Sequence, residues 1–302
     1  MRAQFSKTML RLGEVDPNLV VLVGDIGAFG LRHFAEKCTG RFFNAGIREQ
    51  AMMGAAAGLA LTGFIPTIHS ITPFVVERCF EQIKDDFCYH ELPGNIVSVG
   101  AGLDYAALGG THHCYSDIAA LKSLPHTKIF CPGTPQEFDV FFEQTYRSGS
   151  LNYFRLAGQS HTVMIDSSKL KVGKSVLIKE GKDLTLITMG GLLDNVMKAN
   201  IELSSHFNCE VLYVPSLKPL EKELIRNSVE KTRRVITVED HSIYGGLGDE
   251  IRRTLDGIQY EIQSVGLPDK FIRDYGSFEY LSGVAGIDCA GIVRTAKKML
   301  KS

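Results

Sequence analysis

Glu49 stands at the head of the segment "REQAMMGAAAGLAL", and no further charged residue follows it through Gly63. An acid in a first helical turn complements the helix dipole, which is the plain account of its presence. The residues behind it argue for more: Gly54 and Gly58, with Ala51, Ala55, Ala56, Ala57 and Ala60, form a small-sided helix that another backbone could approach closely. A carboxyl group heading such a helix looks more like a site at the edge of an interface than part of a solvent-facing helix. A second group lies in "YAALGGTHHCYSD", where His112 and His113 follow a Gly-Gly turn. An imidazole titrates near neutral pH. Adjacent side chains diverge, so at most one of the two faces a given ligand; the plain alternative is a loop histidine bonded to backbone.

Apolar runs of strand length alternate with helical segments, the pattern of a parallel sheet covered on both faces. "LVVLVGD", "FIPTIHS", "NIVSVGAG", "TKIFCPG" and "LNYFRL" read as strands, and Glu49 to Leu61 and "FVVERCFEQIKDDFCYH" as helices. "SDIAALKSLP" adds a helix with Ser116 as N-cap. The histidine loop follows a buried strand and precedes that helix, which places it at the carboxyl edge of the sheet, where open α/β folds bind ligands. The polar stretch "DSSKLKVGKSVLIKEGKD" then marks a boundary, and a second alternating unit follows, from "LTLITMG" to "RRVITVED" and "YGGLGDEIRRTL". The expectation is therefore two α/β domains, 1–165 and 181–302, joined by a linker at 166–180. The lone glycine-rich "YGGLGDE" is weak evidence for a phosphate loop.

With 302 residues, 44% of them hydrophobic, the chain can build two cores. Thirty-three basic residues are scattered among 34 acids for a net charge of -1, which speaks against nucleic acid or an anionic membrane as partner. Seven cysteines, with no CxxC pair, suggest neither a disulfide framework nor a zinc site. No stretch has the makings of a signal peptide or membrane span, so a cytoplasmic protein with reduced thiols is expected.

"NAGIREQAMMGAAAGLALTGFIPTIHSITPF" resembles the cofactor-pyrimidine-binding segment of thiamine-diphosphate enzymes of the transketolase family. "LGGTHH" with "DIAALKSLP" is similar to their active-site loop, and "LITMG" through "VEDHSIYGGLGDEI" looks like their carboxyl-terminal domain. The resemblance implies a pyrimidine-binding domain followed by a smaller transketolase C-terminal domain, in which "YGGLGDE" is a structural turn. It assigns Glu49 to the ring nitrogen of the aminopyrimidine. A carboxyl group there promotes the imino tautomer, whose nitrogen then takes the thiazolium proton. Phe74 matches the aromatic residue stacked on the pyrimidine, unless it is a core Phe. His112, and His113 beside it, match the sugar-contacting position. Asp25 matches an acid near cofactor or substrate, or else is a capping Asp. Arg155 matches a strand arginine that binds substrate phosphate, a role suited to its fork of donors, or else forms a structural ion pair.

The family's Gly-Asp-Gly motif for diphosphate and magnesium is absent, since Gly24-Asp25-Ile26 does not replace it. The resemblance therefore implies one subunit of a split enzyme, with thiamine diphosphate and Mg²⁺ anchored by an N-terminal-half partner and this chain self-associating as a dimer within a heterotetramer. No metal ligands are expected in this chain. Three positions depart from the family's sugar-reading pattern: Leu108 stands for an aspartate, Gly100 for a histidine and Phe29 for a serine. The expected activity is transfer of a two-carbon ketol unit from a ketose to an aldose. Its rivals are the β subunit of a 2-oxo acid dehydrogenase, a deoxyxylulose-phosphate-synthase-like enzyme, and a non-catalytic scaffold derived from the family.

Overall fold

A computed structural model describes residues 1–301. Its strands are β1 (Leu19–Val23), β2 (Phe42–Asn44), β3 (Ile65–Ile71), β4 (Gly94–Val99), β5 (Thr127–Phe130), β6 (Leu151–Leu156), β7 (Val176–Lys179), β8 (Leu184–Thr188), β9 (Cys209–Tyr213), β10 (Ser216–Lys218), β11 (Arg234–Ser242) and β12 (Glu261–Leu267). Strands β1, β4 and β6 are buried along their whole length, which is why β1 reads as a continuous apolar run and the other two show no polar face.

Seven strands form the first sheet in the order β10-β5-β6-β4-β3-β1-β2, parallel except for the antiparallel pair β10–β5. Five form the second, ordered β12-β11-β8-β9-β7, with only β7 antiparallel to its neighbour. Two features depart from a division by sequence position. Strand β7 lies within the stretch expected to be linker, and β10, far along the second half, completes the edge of the first sheet.

The Arg2–Val15 helix lays Phe5, Met9 and Leu12 into the first core, where Phe5 meets Phe138. The Glu49–Leu61 helix begins and ends where its sequence suggests, and buries Met52, Met53, Ala56, Ala57 and Ala60. The expected helix after Phe74 is less regular. Two widened i→i+5 turns, Pro73–Glu77 and Ile83–Tyr89, flank a short α-helical piece at Phe80–Gln82. Such widened turns insert a residue and re-aim the side chains around them. Ser116 does precede the Asp117–Lys122 helix, but its hydroxyl donates to Glu77 Oε1 at 2.6 Å instead of capping that helix.

Candidate active site

Parallel pairing brings the carboxyl ends of β1 and β3 together, with Val23 opposite His69. Gly24, just past β1, and Ser70, near the end of β3, thereby come to face the first turn of the Glu49 helix. Glu49 is only 1% exposed. Its Oε1 accepts a hydrogen bond from Ser70 Oγ at 3.0 Å, and its Oε2 one from Arg78 Nη1 at 2.6 Å. Gly24 is needed beside it: a Cβ there would lie 3.0 Å from Ser70 Oγ and 3.1 Å from Glu49 Oε1. The carboxyl group is thus a built feature, tied to a strand hydroxyl and a guanidinium.

Arg78 was not singled out by its sequence context, where "VERCFEQ" reads as an ordinary half-exposed helix. Its guanidinium carbon also sits 4.4 Å from the centre of the Phe74 ring. Phe74 in turn meets His112 edge to face, with ring centres 5.3 Å apart, and His112 meets Tyr105 at 5.9 Å. A continuous line therefore runs from Glu49 through Arg78 and Phe74 to His112, joining three residues that are far apart in sequence. His112 is half-buried, and its Nδ1 lies 2.9 Å from Thr111 Oγ1. His113 is turned inward, 4% exposed with neither ring nitrogen hydrogen-bonded, and burial lowers its pKa, with His112 adding to the effect.

Arg155 needs correction. It is 3% exposed, and its guanidinium donates to Asp117 Oδ2 (2.7 Å), Asp240 Oδ1 (2.6 Å) and the Asp240 carbonyl (3.0 Å). Enclosed and committed to two carboxylates, it forms the ion-pair alternative and joins the first sheet to β11 instead of offering a fork to ligand phosphate. Asp25 is exposed, with φ 69°, and bonds Asn44: its backbone N–H donates to Asn44 Oδ1 and its Oδ1 accepts from Asn44 Nδ2, both at 3.2 Å. It caps no helix.

The three departures have distinct settings. Gly100 has φ 79°, and a Cβ there would lie 2.1 Å from the Tyr105 ring, so the tyrosine fills the space a larger residue would claim. Leu108 is 48% and Phe29 80% exposed, the latter beneath the Arg32 guanidinium. Beside Tyr105 a cavity of about 280 Å³ is lined by Arg2, Gly100, Asp104 and Gly158. Burial, and then the nearby Asp240, push the Asp104 carboxyl up to about 7. The second half reaches this loop as well. Tyr275 lies against Gly109, Ile272 N–H donates to Tyr115 Oη at 3.0 Å, and Phe271 packs on Tyr115. The "YGGLGDE" loop is occupied internally: the Leu247 and Gly248 amides donate to Glu239 and the Gly245 amide to Asp249.

A family model described as "Transketolase, pyrimidine binding domain" matches residues 1–159, and one described as "Transketolase, C-terminal domain" matches residues 173–292. The chain belongs to the transketolase family. A subunit of an apulose-4-phosphate transketolase from Phocaeicola vulgatus is 32% identical over 99% of this chain and 97% of its own length. A 1-deoxy-D-xylulose-5-phosphate synthase from Halothermothrix orenii is 30% identical over 98% of the chain, which spans 47% of that enzyme. A solved structure described as "Split gene transketolase, inactive beta4 tetramer" superposes with a TM-score of 0.87 at 29% identity, covering 99% of this chain and 97% of its own. This transketolase-family chain thus matches split-enzyme subunits end to end. Among its described residues no three His, Cys, Asp or Glu side chains gather as a metal site, and no helix is long and apolar enough to cross a membrane.

The residues around Glu49 fit the family's cofactor, thiamine diphosphate. A buried carboxyl group beside an aromatic ring suits a flat, nitrogen-bearing heterocycle, and the Arg78 guanidinium, itself flat and nitrogen-bearing, already makes both contacts.

Proposed function

We propose that this chain is the pyrimidine-side subunit of a two-component transketolase, transferring a two-carbon ketol unit from a ketose to an aldose. The observation that carries the reading is the buried Glu49 carboxyl group in line with Phe74 and His112. In this reading Glu49 bonds the ring nitrogen of the aminopyrimidine and holds the proton there, while Phe74 offers its ring as a stacking surface. Thiamine diphosphate, when bound, supplies a carbon nucleophile and an electron sink for cleaving the bond beside the ketose carbonyl. His112 contacts the sugar's carbonyl and hydroxyl groups and can pass a proton near neutral pH. Asp25, which is exposed, is assigned in this reading to contact cofactor or substrate.

The N-terminal-half partner holds the diphosphate and Mg²⁺. Support for a protein face comes from the small-residue helix: Ala51, Ala55 and Gly58 line an uncovered groove of about 550 Å³ with Phe43 and Leu59, and among the described residues nothing beyond the helix's own backbone and the neighbours of Gly58 comes within 4 Å of where a Gly58 Cβ would stand. Two copies of this chain with two partner chains would form the working assembly.

The chain alone should show no turnover. In the reconstituted complex Glu49→Ala should lower kcat by at least about 10²-fold, the scale of a positioned acid or base; full activity in that variant would refute the assignment. The similarity to a deoxyxylulose-phosphate synthase gives a second reading substance, because that enzyme class consumes pyruvate. Labelled pyruvate offered against ketose donors separates the two, with CO₂ release favouring the second.

A further inference from the structure

Glu49 and Phe74 are both already engaged, and by the same side chain. Both oxygens of the Glu49 carboxyl group have partners, Ser70 on one and Arg78 on the other. With 1% of its surface exposed, Glu49 has no open side from which a further donor could arrive. The Arg78 guanidinium that closes it also lies over the Phe74 ring. A guanidinium is a flat, delocalised cation with N–H donors at its edge, and it stacks on aromatic faces. An aminopyrimidine bonded to a carboxyl group and stacked on a phenyl ring makes the same pair of contacts.

We propose that Arg78 is a built-in stand-in for the aminopyrimidine, occupying its seat between Glu49 and Phe74 until the cofactor displaces it. The inference rests on the reading that these two residues receive the pyrimidine. The asymmetry of the ion pair fixes which member moves. The Glu49 side chain is 1% exposed, whereas that of Arg78 is 39% exposed on a flexible stem, and Glu49 is its only carboxylate partner among the described residues. Arg78 also follows the widened turn that carries Phe74, so ring and guanidinium are presented together by one irregular piece of backbone. Arg78 is therefore a positioning residue. It keeps the carboxyl group and the ring in their working places in the empty chain, at the cost of competing with the ligand they are built for.

Competition gives a readout that needs no catalysis. The full-length chain is titrated calorimetrically with 4-amino-5-hydroxymethyl-2-methylpyrimidine, the pyrimidine half of the cofactor. Arg78→Met should bind it about five- to tenfold more tightly than wild type, the size of effect expected for removing a half-exposed ion pair with its cation–π contact. Arg78→Lys, which keeps the charge but loses the flat fork, should fall between them and serves as the test if Arg78→Met does not fold. The gain should vanish in a Glu49→Gln background, where there is no ion pair to break. A simple packing role for Arg78 predicts no such dependence on Glu49. Equal or weaker binding by folded Arg78→Met, with binding itself dependent on Glu49, overturns the stand-in and leaves the cofactor reading in place. Pyrimidine binding by none of the variants, or binding indifferent to Glu49, overturns the reading and the stand-in together.

Discussion

Residue type and burial decide what each charged group near the site can do. Glu49 and Arg155 are both buried and both paired, yet they differ in what holds them. Glu49 meets one half-exposed arginine that can leave, whereas Arg155 is fixed between Asp117 and Asp240. Arg155→Met would strand two buried carboxylates, and we expect a loss of about 3–5 kcal/mol in urea unfolding. A raised sugar KM at unchanged stability would instead restore a ligand role to Arg155. At this scale the sequence was informative about the kind of residue and less so about its partners. Glu49 stood out because a single acid heads a small-residue helix. Arg78 did not, because an arginine four residues after a phenylalanine is ordinary on a helix surface, and only the folded chain shows its guanidinium both over the Phe74 ring and against the Glu49 carboxyl group. Asp117 and Asp240 lie 38 and 85 residues from Arg155, beyond the reach of any local pattern.

Elements set the accuracy with which such residues meet. The loop carrying His112 is pinned from above by the 268–277 segment of the second half. Gly109, which opens the short turn before His112, has φ 73°, and a Cβ there would lie 2.4 Å from the Tyr275 ring. Gly109→Ala should therefore loosen the loop through both strain and collision, at about 1–3 kcal/mol locally. Hydrogen exchange across residues 105–115 should quicken and the sugar KM rise, while exchange in β1 and β3 stays as it was; an unchanged loop would show that Tyr275 does not restrain it. The order of strands and helices was legible wherever apolar runs were long, and the Glu49–Leu61 helix starts and stops as its sequence suggests. The widened turns after Phe74 were not legible, since an inserted residue barely disturbs a helical pattern of apolar side chains. Strand β7 was hidden in a lysine-rich stretch and itself ends on Lys179, a residue that suits an edge position.

Across the whole molecule, the seam between the halves is rich in buried acids and bases. Asp104, in the histidine loop, and Glu239, on β11, both titrate near 7 because burial first of all disfavours their charge. A carboxyl group whose folded value lies above its unfolded value adds stability at low pH and loses it as pH climbs through the folded value. His69 and His241, buried and pushed down to about 4, act the other way and favour the fold as pH rises from about 4 to 6.5. Comparing variants isolates one contributor. Asp104→Asn should flatten the fall in Tm between about pH 4 and about pH 7 relative to wild type. Parallel curves for the two proteins would mean that Asp104 ionises as freely folded as unfolded.

The three-residue strand β10 carries a lesson about modularity. Residues 216–218 pair with Phe130 and Ile129 at the rim of the first sheet, although the chain has by then already laid down three strands of the second. The two halves are therefore interlaced, not strung together. Cutting the chain between them would strip the first sheet of its border and leave β5 as a raw edge open to pairing with other chains. A gene encoding a longer enzyme of this kind can be divided ahead of the pyrimidine-binding half, but a second division within these 302 residues would separate strands that need each other.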